Sequence, residues 1–153
     1  MFDQLNFPEA KIPVRQHGGG FELLDITRRV WLGYTPEEWV RQHVIHFLID
    51  HQNVPVSLIA VEMPIKVNNL ERRCDIVVFN NRGKPAMVVE CKASGVRLSQ
   101  GTIDQAGRYN TTLKAPYLMV TNGIKHFAFE IDFENQTTEP LKQIPDYELL
   151  LRH

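Results

Sequence analysis

Asp75, Glu90 and Lys92 are the residues of this sequence whose types and spacing best suit chemistry. Asp75 opens the short apolar run Asp-Ile-Val-Val-Phe, and Glu90 and Lys92 close the run Ala-Met-Val-Val-Glu-Cys-Lys. On a strand, residues i and i+2 leave on the same side, so Glu90 and Lys92 project together and Cys91 turns the opposite way, into the core. Between the two runs lies Asn80-Asn81-Arg82-Gly83-Lys84-Pro85, dense in turn formers, which predicts a hairpin. Its arms are similar in length, which brings Asp75 level with the Glu90 end of its neighbour. Two clustered carboxylates suit Mg²⁺, a hard cation that takes one or two protein carboxylates and completes its shell with water and phosphate. Such an ion polarises a phosphate and acidifies a bound water. A lysine beside it orients that water or offsets developing negative charge. The plain alternative is a structural ion pair between Glu90 and Lys92, because Glu-x-Lys is a common tripeptide.

The elements that must hold these residues are legible around them. Thr35-Pro36-Glu37-Glu38 is a helix start, with an N-cap threonine, a first-turn proline and two acids at the positive end of the dipole. Val40, Val44, Phe47 and Leu48 then recur on one face, predicting a helix to about Asp50. Val56 to Val67, Asp75 to Phe79 and Ala86 to Lys92 are three strand candidates. Leu98 to Leu113 reads as a helix in spite of Gly101 and Gly107, and Gly107 implies close packing against a sheet. Tyr117 to Thr121 is a buried strand, Asn122-Gly123 a turn, and Lys125 to Phe133 a half-exposed strand. Tyr147 to Leu151 is a short helix. Residues 1–20 read as an irregular arm broken by Gly18-Gly19-Gly20, and Phe21 to Leu32 as a strand-containing entry. The expectation is one α/β domain over residues 1–153, with its core between 35 and 129.

Within that frame the sequence resembles the PD-(D/E)xK nuclease superfamily. Arg73-Cys74-Asp75-Ile76-Val77-Val78-Phe79 is similar to its metal-binding aspartate strand, and Val88-Val89-Glu90-Cys91-Lys92-Ala93 to its E-x-K strand. Gln105-Ala106-Gly107-Arg108-Tyr109 is similar to the Q-x-x-x-Y helix of the RecB-like branch. With Thr121-Asn122-Gly123 and the helix entry Thr35 to Gln42, these motifs resemble the N-terminal nuclease domain of type I restriction enzyme R subunits and its stand-alone relatives. Cys74 stands where the superfamily's proline would be. The resemblance implies a restriction-endonuclease-like mixed sheet flanked by helices, with an αβββαβ core.

It also implies roles. Asp75 and Glu90 would hold the metal, Mg²⁺ with Mn²⁺ as a substitute, together with the Cys91 carbonyl. Lys92 would be the catalytic lysine, and Glu38, in preference to Glu37, the acid supplied by the first core helix. Gln105 would act in the site, and Tyr109, Arg73 and Arg108 would serve the nucleic-acid side. The expected activity is metal-dependent hydrolysis of DNA, endonucleolytic, in restriction, defence or DNA processing. The alternative is a nucleic-acid- or partner-binding subunit with little turnover. No P-loop is present, so the expected partners are DNA and other restriction or defence subunits, and self-association is compatible with the sequence.

Composition narrows the field further. A formal net charge of -1 excludes a strongly basic nucleic-acid binder, yet residues 66–126 carry ten Lys and Arg against four Asp and Glu, a local patch suited to a polyanion. Two cysteines exclude a disulfide scaffold and a four-cysteine zinc site. Six histidines lack zinc-ligand spacing and read as surface or capping residues. No apolar run is long enough to span a bilayer. The first residues lack the apolar core of a signal peptide, and the expected location is the cytoplasm.

Overall fold

A computed structural model describes residues 2–153. Three short strands, β1 (Val14–His17), β2 (Gly20–Asp25) and β3 (Val30–Gly33), form a small antiparallel sheet ahead of helix α1 (Pro36–Asp50). A second sheet of six strands follows in sequential order: β4 (Ile59–Val67), β5 (Leu70–Phe79), β6 (Pro85–Cys91), β7 (Tyr117–Thr121), β8 (His126–Asp132) and β9 (Thr137–Leu141). Helix α2 (Gln100–Leu113) lies in the crossover from β6 to β7, and α3 (Tyr147–Leu150) ends the order. Every neighbouring pair in the large sheet is antiparallel except β6–β7. That single parallel step is the one that needs a long crossover, and α2 supplies it. The expected αβββαβ core is therefore present, as a mixed sheet with helices on both faces.

The helix starts follow from local chemistry. Thr35 Oγ1 accepts the Glu38 N–H at 3.0 Å and Pro36 occupies the first turn of α1. Ser99 caps α2 in the same way, and Lys114 closes it in a left-handed conformation. Val40, Val44, Ile45 and Leu48 of α1 are fully buried against Ile76, Val78, Met87 and Val89 on one face of the large sheet. Phe47 belongs to the predicted apolar stripe but is only half-buried, against Phe7. On the other face Ala106 of α2 packs with Cys74, Val77, Val88 and Leu118. Among the described residues no helix is long and apolar enough to cross a membrane.

Several segments depart from expectation. Val56–Leu58 is a 3-10 turn ahead of β4, and β5 begins at Leu70, so Asp75 lies within the strand and does not open it. Residues 14–17 are not part of an irregular arm: they form β1, paired with β2 through the two-residue turn Gly18-Gly19. Both glycines have positive φ, 58° and 81°, so the run that reads as a breaker is a hairpin turn. Strand β9 has no counterpart in the sequence reading, because Thr-Thr-Glu-Pro-Leu lacks apolar alternation and its proline suits only an edge.

Glycines separate structural need from tolerance. Gly107 does not show the expected close packing: a Cβ there would meet nothing within 4 Å. Gly123 has φ of 85°, and a Cβ there would lie 2.9 Å from Leu5 Cδ2 and 3.1 Å from Val40 Cγ2. We expect Gly107→Ala to stabilise the fold by up to ~1 kcal/mol. Gly123→Ala should destabilise it by about 1–3 kcal/mol. Chemical denaturation of both variants checks the opposite signs.

Candidate active site

Strands β5 and β6 pair from the turn as far as Ile76↔Val89 and then part. Asp75 and Glu90 are the next residues, one on each arm of the fork. The next peptide N–H of β6, that of Cys91, donates to Asp75 Oδ2 at 2.8 Å instead of to a strand carbonyl. Lys92 follows on the same side as Glu90, and its Nζ lies 3.3 Å from Glu90 Oε1. The Lys92 N–H donates to the Thr121 carbonyl, so the parallel pairing with β7 extends to the lysine and fixes its backbone. The structure therefore brings Asp75, Glu90 and Lys92 together, as the spacing predicts.

Their environment is unfavourable for negative charge. Burial, then the neighbouring Glu90, push the Asp75 carboxyl up to about 7, although the Cys91 N–H and Arg41 oppose the rise. Burial also raises Glu90, against the pull of Lys92. Burial works against the Lys92 ammonium, but Glu90 outweighs it and its pKa is raised. Glu90 is paired with the Lys92 ammonium, but Asp75 has only the Arg41 guanidinium at 3.6 Å, which it shares with two other carboxylates, so negative charge in the partly desolvated fork is incompletely compensated. This donor set, all hard oxygens, fits a divalent cation. Cys91 itself offers no thiol chemistry: its side chain is fully buried on the α1 side, and burial raises its pKa well above normal. Among the described residues no group of three or more His, Cys, Asp or Glu side chains is placed to hold a metal, so a cation here would rest on two carboxylates and backbone or water oxygens.

The two acids at the start of α1 sit in different surroundings. Glu38 is buried, accepts Gln42 Nε2 at 3.0 Å and lies 3.6 Å from Arg41 Nε. Its exposed neighbour Glu37 is the helix acid whose charge acts on Asp75, Glu90 and Lys92 alike. A step of about 100° around the helix separates the two roles, and residue spacing at a helix start does not fix that phase.

Behind the fork lies a charged network that the sequence reading missed. Arg41 Nη1 lies 2.9 Å from Glu62 Oε1, and its Nη2 is 3.6 Å from Asp75 Oδ1. Glu62 Oε2 accepts Arg28 Nη1 at 2.8 Å, and Arg28 Nε donates to Asp25 Oδ2 at 3.0 Å. Gln42 Nε2 closes the ring, donating to both Asp25 and Glu38. Glu62 stands opposite Asp75, between the register pairs Val61↔Ile76 and Met63↔Cys74. Its φ is 52°, a left-handed conformation that costs a non-glycine residue about 1–2 kcal/mol. The hairpin exchanges faces at this level. Val61 packs toward α1 but Met63 toward α2, and likewise Ile76 packs toward α1 but Cys74 toward α2. Residues of equal parity should share a face, so the switch sits at Glu62 and Asp75.

The remaining expected residues lie outside the fork. Gln105 is exposed and donates to the Tyr109 hydroxyl at 3.1 Å, and makes no hydrogen bond with Glu90 or Lys92. Tyr109 is half-buried against the core under α2. Arg73 is exposed on β5, opposite Pro64, and Arg108 is exposed on α2. The histidines of α1 correct another expectation. His43 and His46 are buried, not surface residues, and burial lowers both pKa values.

Comparison with known proteins bears on the fold and the family. The chain resembles in fold a solved fragment assigned to an HsdR subunit of a type I restriction enzyme from Vibrio vulnificus YJ016, with a TM-score of 0.57 at 22% identity. The likeness covers 78% of this chain and 25% of that one, so the chain spans about a quarter of that structure's length. No curated protein matches it. The family model described as type I restriction enzyme R protein N terminus (HSDR_N) matches residues 36–145, from the first turn of α1 to just past β9. The chain thus belongs to the family of type I restriction enzyme R protein N termini.

Proposed function

We propose that this chain is a metal-dependent nuclease domain of the PD-(D/E)xK type that hydrolyses DNA phosphodiester bonds in a restriction or defence setting. The observation that carries the reading is the strand fork that holds Asp75 and Glu90 together beside Lys92. Asp75, Glu90 and the Cys91 carbonyl would hold Mg²⁺ or Mn²⁺, with Glu37 as the helix acid in place of Glu38. The ion, when bound, supplies Lewis acidity toward a phosphate and a more acidic water.

The chain's own residues do the rest. The Cys91 N–H fixes the Asp75 carboxylate through Oδ2, while Oδ1 lies 3.6 Å from Arg41 Nη2. Lys92 is protonated at neutral pH, as a lysine ordinarily is, and Glu90 raises its pKa further against burial; its ammonium would donate to a phosphate oxygen as charge develops. Gln105, pinned by Tyr109, with Arg73 and Arg108, would serve the DNA side. A binding subunit without turnover has no use for two crowded carboxylates, which disfavour the polyanion it would bind. The family suggests partner subunits that supply targeting or translocation, and a cytoplasmic setting.

The purified chain, incubated with circular, linear and single-stranded DNA, tests the proposal. Cleavage should require Mg²⁺ or Mn²⁺ and vanish in EDTA. Cleavage that persists in EDTA contradicts it. The two helix acids should also separate. Glu37→Gln should weaken Mn²⁺ binding by about tenfold with melting temperature unchanged or raised. Glu38→Gln should instead lower stability by about 1–3 kcal/mol, since it leaves Arg41 and Gln42 short of a buried acceptor. Calorimetric titration and thermal melts of the pair check this.

A further inference from the structure

Three carboxylates share the buried guanidinium of Arg41: Glu62 at 2.9 Å, and Glu38 and Asp75 each at 3.6 Å. Glu62 holds the shortest contact and is itself anchored. Its second oxygen is bound to Arg28, which is tied to Asp25. Asp25 is fully buried, and its Oδ1 also accepts the backbone N–H groups of Thr27 and Arg28. The anchor therefore lies in the turn between β2 and β3, on a different sheet from the fork. Glu62 is also the residue whose left-handed backbone marks the face exchange opposite Asp75. Left-handed non-glycine residues held by several partners cluster at functional sites.

We infer that Glu62 is a positioning residue for the fork: its carboxylate tethers Arg41 away from Asp75, so that Asp75 and Glu90 remain available to a divalent cation. The inference rests on the reading of Asp75 and Glu90 as metal ligands. Without the tether, a buried guanidinium must still be satisfied. Glu38 and Asp75 stand equally near at 3.6 Å. The Glu38 oxygen facing Arg41 already accepts from Gln42, which leaves Asp75 Oδ1 for the close pairing a planar guanidinium makes with a carboxylate. Arg41 then competes with the cation for the same oxygens. A merely structural Glu62 would change stability and leave cation affinity alone.

Glu62→Gln, Arg41→Gln and the double variant test this in the full chain, with Mn²⁺ alone as probe and no DNA. Glu62→Gln should bind Mn²⁺ about tenfold or more weakly, the usual scale for losing a partner behind a metal ligand. Its crystal structure should show Arg41 closer to Asp75 than the present 3.6 Å. Adding Arg41→Gln should restore affinity, because the competitor is gone. Arg41→Gln alone should bind at least as tightly as wild type, and this arm stands even where Glu62→Gln does not fold. Wild-type affinity in Glu62→Gln, no recovery in the double variant, weaker binding in Arg41→Gln, or an unmoved Arg41 each overturns the inference. A wild-type chain that binds no Mn²⁺ overturns the metal reading instead, and the Arg41–Asp75 distance in Glu62→Gln still decides the role of Glu62.

Discussion

Asp75→Asn, Glu90→Gln and Lys92→Ala should each lower DNA cleavage by on the order of 10²–10³-fold or more, the scale on which one preorganised charged group acts in a reaction centre. The three losses should not add. Removing Asp75 and Glu90 together should cost little more than removing either, because a cation held by one carboxylate is no longer held where Lys92 can work with it. Folding should survive in each case. The side-chain amide introduced by Asp75→Asn still offers an oxygen to the Cys91 N–H, and Glu90→Gln removes a charge that its surroundings disfavour. The partly exposed Lys92 side chain belongs to neither apolar cluster of the core. Gel-based cleavage rates with matched melting curves check the expectation. Losses that multiply across the double variant would mean that the groups act separately.

The second large effect is a pH-dependent strain in the metal-free protein. An unperturbed aspartate titrates near 3.8, and Asp75 in the fold titrates at about 7. Across that window the folded protein keeps a proton that the unfolded chain has lost. Stability therefore falls as pH rises from about 4 to about 7, and levels off above it. A shift of about three units bounds the loss at roughly 4 kcal/mol. Glu90 is raised for the same leading reason and adds in the same direction. Asp75→Asn should remove most of this slope and melt higher than wild type above neutral pH. Millimolar Mg²⁺ or Mn²⁺ should raise the wild-type melting temperature by mass action, about 2.7 kcal/mol at a hundred times the dissociation constant, and leave Asp75→Asn nearly unmoved. Parallel pH profiles for wild type and Asp75→Asn, with and without cation, would show that the carboxylates do not crowd each other.

The parts of the site that local pattern determines were legible in the sequence. Glu90 and Lys92 share a side because strand parity demands it. Asp75 comes level with Glu90 because a one-residue register shift between Val78 and Phe79 absorbs the unequal arms of the hairpin, and the Asn80 side chain holds the turn through the N–H groups of Arg82 and Lys84. The parts set by distance in space were not legible. Glu62 lies in the middle of a β-rich run, and nothing local marks it as left-handed; the arginines that hold its carboxylate, Arg28 and Arg41, arrive from other elements. The same holds for Asp25, whose burial depends on a small sheet built around a Gly18-Gly19 turn. Choosing between Glu37 and Glu38 needs the rotational phase of α1 against the sheet. Core packing through Val40, Val44 and Leu48 sets that phase, and the caps do not.

The central claim is that the β5–β6 fork holds a divalent cation, and crystals of the wild-type chain grown or soaked with Mn²⁺ test it most directly. The account predicts an anomalous peak between the Asp75 and Glu90 carboxylates, within bonding distance of both and of the Cys91 carbonyl. It also predicts that Lys92 moves off Glu90 from its present 3.3 Å. A fork that stays free of anomalous density at saturating Mn²⁺, with the Lys92–Glu90 pair intact, would contradict the account and leave that pair a structural one.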